Sequence, residues 1–211
     1  MILYLVRHGQ TAHNRDGVSL GRADVPLSPL GELQAAAVAR TLAGHRLDRV
    51  FASPLDRAMR TASALAAERH LPIEVRPELI ELDAGDAEGL TFPELRDRFG
   101  DFLREWAGPH GHEAVMPGGE SMADLDRRLT PLVDDLHGMA HEAIAVVSHN
   151  FVLRVLFCRL IGLSVASFRT MSFDVASISA LALERDRVAV VRLNDCCHLD
   201  ALNLDPGGGS V

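Results

Sequence analysis

Arginine and histidine stand in this sequence where apolar runs stop. Residues 2–6 end at Arg7-His8-Gly9, residues 50–52 end at Ser53-Pro54 with Arg57 just beyond, and residues 143–147 end at Ser148-His149. A guanidinium fork matches the oxygens of an oxyanion. An imidazole with an ordinary pKa near 6.5 is a nucleophile or a donor at neutral pH. The fourth reactive group is Glu81, flanked by Leu79, Ile80 and Leu82. Apolar neighbours that half-bury a carboxyl raise its pKa toward that of a usable general acid.

To bring these residues together, each apolar run must be a buried strand and each basic cluster a strand-to-helix junction. In an open α/β sheet the crevice beyond the carboxyl ends of the strands is the ligand site. Ser28-Pro29 predicts a capped helix ending at Gly44, with Leu30, Leu33, Ala37 and Leu42 at helical spacing. Ser53-Pro54 repeats the device, which puts Arg57 in the first turn of a helix running to about His70. A cation at a helix N-terminus opposes the macrodipole, a mismatch that a bound anion would resolve. Arg60, on the same helix, reads as a solvated or salt-bridging residue.

Residues 92–106, 121–140 and 150–161 carry three more helical patterns, the last placing His149 beside free backbone N–H groups. Two apolar runs around Arg185-Asp186-Arg187, Ile178–Leu183 and 188–193, read as a closing hairpin. The Gly-rich tail, 206–211, is expected to be flexible. The stretch 12–27 has loop composition, in which Asn14 and Gly21 read first as turn residues. Of the five carboxylates between Pro77 and Gly89, Glu78, Asp83, Asp86 and Glu88 are expected to be solvated, leaving only Glu81 with a chemical role.

The order and spacing of these motifs resemble the histidine phosphatase superfamily, the phosphoglycerate mutase-like proteins. The resemblance rests on Arg7-His8-Gly9, on Ser53-Pro54-Leu55 with Arg57, Thr61 and Ala62, and on Leu79-Ile80-Glu81 leading to Gly85 and Glu88-Gly89. Pro117-Gly118-Gly119-Glu120-Ser121 and Val147-Ser148-His149 complete it. It implies an α/β fold, a three-layer α/β/α sandwich with a mostly parallel central sheet, over residues 1–205, with segment 91–120 inserted over the active site. It also implies that His8 is the nucleophile, Glu81 the acid, and Arg7, Arg57 and His149 the catalytic phosphate ligands. Asn14, Gly21 and Asn150 join Arg7, Arg57 and His149 as substrate contacts.

A phosphoryl-transfer transition state spreads negative charge over its equatorial oxygens, so positioning and electrostatics carry the catalysis. Two arginines and a histidine supply that charge, and no metal or other cofactor is expected. His110 with His112 and His137 with His141 lack the third ligand of a recognisable zinc motif. Around Glu81 the sequence Glu78-Leu79-Ile80-Glu81-Leu82-Asp83-Ala84-Gly85 departs from the mutases, which favours hydrolysis of small phosphate monoesters over mutase transfer. A non-catalytic phospholigand-binding protein would be missing one of the five catalytic residues, and all are present.

Within the superfamily, residues 192–199, 171–174 and Ser177 look most like the metal-independent phosphoserine phosphatases, with α-ribazole phosphatases as second neighbours. Ala84 stands where the former have histidine, and Leu20 stands before Gly21 where glutamine is common. Both departures suggest a different or broader substrate range, and Asn150 replaces a smaller residue and should narrow the pocket.

With 211 residues, 47% hydrophobic and 24% charged, the chain can bury one substantial core. A formal charge of −8 argues against a nucleic-acid partner, and no apolar stretch is long enough for a membrane span. The three cysteines, Cys158, Cys196 and Cys197, form no disulfide or zinc pattern and fit the cytoplasm. The apolar closing hairpin suggests an edge that pairs in a homodimer.

Overall fold

The computed structural model describes residues 1–67, 69–184, 187–200 and 203. The Gly-rich tail and the Arg185-Asp186 tip of the closing hairpin lie outside them. Six strands form one sheet: β1 (Ile2–Arg7), β2 (Arg49–Ala52), β3 (Ile73–Val75), β4 (Ala143–Ser148), β5 (Ile178–Leu183) and β6 (Val188–Asp195). Their order is β3-β2-β4-β1-β5-β6. The β3-β2, β2-β4 and β4-β1 pairs are parallel, while β5 runs antiparallel to both β1 and β6. The helices are α1 (Ala12–Asp16), α2 (Pro29–Leu42), α3 (Asp56–Ala67), α4 (Phe92–Ala107), α5 (Met122–Gly138), α6 (Asn150–Leu160) and α7 (Cys197–Asp200).

Alternation along each strand divides the interior into two apolar layers. Leu3, Leu5, Phe51, Ile144 and Val146 face α5 and α6, whereas Tyr4, Val6, Val50, Ala52, Ala145 and Val147 face α2 and α3. A strand covered on both faces needs an unbroken apolar run, and β4 is buried at all six positions. Leu3 and Leu5 are fully buried, each contributing about 1.5–3 kcal/mol relative to exposure. The expected α/β/α sandwich with a mostly parallel sheet is the observed one. No helix among the described residues is long and apolar enough to cross a membrane.

Local signals set most helix starts. The Ser28 hydroxyl accepts the Gly31 N–H at 3.0 Å, and capping boxes pair Thr91 with Glu94 and Ser121 with Asp124. Ser53 does not cap α3 as its Ser-Pro pattern suggests. The first helical bonds run from Ala58 and Met59 N–H to the Leu55 carbonyl, so α3 begins at Asp56. The Ser53 hydroxyl accepts the Leu55 N–H at 3.4 Å, ahead of the helix, and makes its shorter contact with His149 at 2.7 Å.

α4 differs from the other long helices in having no fully buried residue. Phe99 leaves helical geometry (φ −131°, ψ 38°) just before Gly100, and the helix bends there. Its Leu95, Phe102 and Trp106 lean on the α5/α6 layer from outside.

Candidate active site

β2, β4 and β1 are neighbours, so their carboxyl ends open on one crevice. Arg7 is level with Ser148 in the parallel register, and the His8 N–H donates to the Ser148 carbonyl at 3.0 Å. The Ser53 N–H donates to the Val147 carbonyl at 3.1 Å. The rings of His8 and His149 consequently face one another with centroids 5.0 Å apart.

The chain leaves β1 against the start of α2. A Cβ on Gly9 would come 2.4 Å from the Gly31 carbonyl oxygen, so only glycine permits this approach. Nδ1 of His8 is 2.7 Å from the Gly9 carbonyl, which can only accept; the proton therefore sits on Nδ1 and Nε2 keeps its lone pair. Burial pushes the His8 pKa well below 6.5, and the adjacent Arg57 and Arg7 guanidiniums push it the same way. The imidazole is neutral at physiological pH.

Arg7 donates through Nη1 to the Phe173 carbonyl at 2.6 Å, while its buried Nε has no partner. Burial lowers its pKa to about 10, so it stays charged at neutrality. Arg57 is fully buried and held at three points. Nη2 donates to Gly21 O at 2.7 Å, Nη1 to Ala23 O at 2.8 Å and Nε to His149 Nδ1 at 3.2 Å. Because a guanidinium only donates, His149 Nδ1 accepts, and Nε2–H is left to donate to Ser53 Oγ at 2.7 Å.

Glu81 is buried beside the N-terminus of α6. Its Oε1 accepts the Leu82 N–H at 2.8 Å and its Oε2 the Phe151 N–H at 3.3 Å. Burial raises its pKa, against the pull of the Leu82 N–H and of Arg57. The site thus holds a neutral imidazole, two guanidiniums and a carboxyl poised to carry a proton, which are the parts that phosphoryl transfer by general acid catalysis requires.

Three candidate contacts are also structural. Asn14 lines the cavity, yet its Oδ1 accepts from Thr11 N–H and Oγ–H at 3.0 and 2.9 Å and closes the cap of α1. Gly21 also lines the cavity, and its carbonyl serves Arg57. A Cβ there would lie 2.8 Å from the Ala84 Cβ. Asn150 is buried at the cavity wall with Oδ1 accepting from Arg154 Nε at 3.0 Å.

The acidic loop is not the solvated segment expected from its charge. Glu88 accepts the backbone N–H groups of Gly21, Arg22 and Ala23 at 2.7, 2.8 and 3.1 Å, and so anchors the loop whose carbonyls grip Arg57. Asp83 pairs with Arg22 and receives the Gly85 N–H, and Glu78 pairs with Arg76. Of the four, Asp86 alone is exposed. Arg60 pairs with Glu32, as expected of an exposed helix arginine.

Two cations escape a sequence reading. Arg128 on α5 donates to Ile80 O at 2.8 Å and to Glu81 O at 3.3 Å, fastening the segment that presents Glu81. Arg154, buried on α6, bonds Asn150 and lies in the field of Glu81 and Asp174. The i, i+4 spacing of Asn150 and Arg154 was the available signal. His110 and His112 have ring centroids 6.4 Å apart, and among the described residues no three His, Cys, Asp or Glu side chains cluster as a metal site.

An α/β/α sandwich with this crevice chemistry defines a phosphoester-processing enzyme. The chain belongs to the histidine phosphatase superfamily (branch 1), whose model matches residues 3–196. It is 31% identical to phosphoserine phosphatase 1 of Hydrogenobacter thermophilus over 198 residues, 93% of each chain. It is 32% identical to the adenosylcobalamin/alpha-ribazole phosphatase of Escherichia coli, over 92% of this chain and 96% of that one. The crystal structure of a putative alpha-ribazole-5'-P phosphatase from Escherichia coli superposes with a TM-score of 0.85 at 30% identity, covering 100% and 99% of the two chains. The chain is an enzyme that hydrolyses phosphate monoesters.

Proposed function

We propose that hydrolysis proceeds in two steps through a phosphohistidine on His8. Nε2 of His8 attacks phosphorus, the ester P–O bond breaks, and the proton on Glu81 goes to the leaving alkoxide oxygen. Glu81, now a carboxylate, takes a proton from water as that water attacks the phosphohistidine, releasing phosphate and restoring both groups. Arg7 and Arg57 hold the equatorial oxygens, Arg57 by exchanging some of its carbonyl contacts for phosphate, while His149, with Nδ1 accepting from Arg57 and Nε2–H given to Ser53, positions the Arg57 guanidinium rather than contacting phosphate itself. Asn14 and Asn150 flank the ester.

The observation that carries this reading is the His8 ring: Nδ1–H is tied to Gly9 O, which leaves Nε2 unprotonated, and burial and the charges of Arg57 and Arg7 keep the imidazole neutral. Rapid quenching with radiolabelled substrate tests it. Label that survives base, is released by acid and disappears in His8→Ala supports the intermediate; full turnover by His8→Ala removes it.

The segment 91–120 forms the roof of the site, supported by the presence of Phe92, Leu95, Phe102 and Trp106 in the cavity wall. Phosphoserine itself gains little support as substrate, since Ala84 is apolar and buried at that wall. The three cysteines are free thiols, consistent with a cytoplasmic setting. Val190, Val191 and Leu193 are exposed on β6 at the sheet edge, which supports pairing with a second copy. Sedimentation should give twice the chain mass, and Val191→Lys the single mass.

A further inference from the structure

The crevice, its phosphate end included, is a cavity of about 340 Å³ whose wall offers the organic group of a substrate no arginine, lysine or carboxylate of its own. Its charged wall residues are Arg7 and Glu81, both committed to the reacting phosphate. His8, His13, Asn14, Ser19 and Asn150 supply its other polar side chains, and the rest of the wall is apolar, built chiefly from Leu82, Phe92, Leu95, Phe102, Trp106 and Phe151, with Trp106 and Phe151 packed edge to face at 5.8 Å between centroids. A carboxylate or an ammonium group placed here would be stripped of water without a counter-charge. The nearest further buried cation, Arg154, is outside the wall, bonded to Asn150 and 5.8 Å from the centre of the Phe151 ring.

Resting on the phosphatase reading above, we infer that the substrate is a phosphate monoester whose organic group is uncharged and predominantly apolar, alkyl or aryl, rather than an amino acid, a glycerate or a sugar. The cavity lies at the small end of ligand pockets, which span about 300–1,000 Å³. It suits a chain of several carbons or one aromatic ring system beside the phosphate. Binding such a group removes apolar surface of both partners from water, worth a factor of about three to four in affinity per methylene.

The test is kcat/KM for ethyl, butyl and hexyl phosphate, whose leaving alcohols are almost equally acidic, alongside phosphoserine, 3-phosphoglycerate and p-nitrophenyl phosphate. The inference expects a rise of about 100-fold from ethyl to hexyl, with both carboxylate substrates at or below ethyl phosphate. Trp106→Ala should reduce that rise to less than tenfold. Leu103→Asn, on a half-exposed part of the same wall, should do likewise and guards against a folding defect at Trp106. A flat alkyl series, or phosphoserine hydrolysed as well as hexyl phosphate, overturns the inference. If p-nitrophenyl phosphate still turns over with label on His8, the phosphatase reading survives that failure. No hydrolysis of any ester overturns both.

Discussion

Ser53 and His149 meet through a hydrogen bond of 2.7 Å that joins the ends of β2 and β4. The bond takes the Nε2 proton of His149 and thereby turns Nδ1 toward Arg57. In Ser53→Ala the buried Nε2–H loses its acceptor, at a cost of about 1–3 kcal/mol in stability. With His149 free to rotate, kcat/KM should fall about 10- to 100-fold. Urea unfolding and steady-state kinetics check the two effects, and unchanged kinetics would mean that other contacts orient the ring.

Glu81 as a proton donor makes activity depend on the leaving group. Glu81→Gln should slow alkyl phosphates by about 10³-fold and p-nitrophenyl phosphate by far less, since nitrophenolate departs without a proton. The pH profile of kcat/KM for alkyl esters should be bell-shaped. The acid limb follows the depressed pKa of His8, which must be unprotonated, and the alkaline limb the raised pKa of Glu81, which must be protonated. With p-nitrophenyl phosphate the alkaline limb should flatten. Equal losses for both ester classes would reject the assignment.

Acid should destabilise the fold through the two facing histidines. Burial, reinforced by Arg57, depresses both pKa values, so below about 6.5 the unfolded chain takes up protons that the folded chain refuses. Stability is full above that pH and falls on acidification toward the folded pKa values, by up to about 1.4 kcal/mol per pH unit for each histidine. Glu81 acts with the opposite sign, because its raised pKa favours the folded state as pH falls. In the Glu81→Gln background, the slope of stability between pH 7 and 5 should be steep, and His149→Asn should reduce it. A slope that His149→Asn leaves unaltered would show that this ring is not among the groups responsible.

Glu88 reaches Arg57, the proposed phosphate ligand, through one intermediary, the loop at residues 21–23. Glu88→Ala removes the acceptor of three backbone N–H groups and should lower kcat/KM about 100-fold. It should also weaken inhibition by inorganic phosphate, while His8 still takes up label. Glu88→Gln keeps one acceptor oxygen and should recover about tenfold. Loss of labelling in Glu88→Ala with phosphate inhibition intact would contradict this chain of contacts.

The parts of the molecule legible in the sequence are those whose signal is local. Apolar runs ending in Arg7-His8, Ser53 and Ser148-His149 identify three strands and the edge they share, and Ser28 marks a helix start by its cap. What stayed hidden depends on contacts distant in sequence. Charge alone makes Glu88 a surface acid, because its partners lie 65 to 67 residues earlier. Arg128 looks like one more polar-face helix residue until the Glu81 segment is seen to lie against it. Ser53-Pro54 has the composition of a cap, but its hydroxyl receives only the Leu55 N–H, at 3.4 Å, and makes its shorter contact, 2.7 Å, with the imidazole of a residue 96 positions away.

α4, the proposed roof, packs Leu95, Phe102 and Trp106 against the core and buries none of its residues completely. Changes along its inner side can therefore alter which molecules are admitted while leaving the two apolar layers, and the reactive groups on β1 and β4, intact. α4 is thus the element whose substitution disturbs the core least while still facing the cavity.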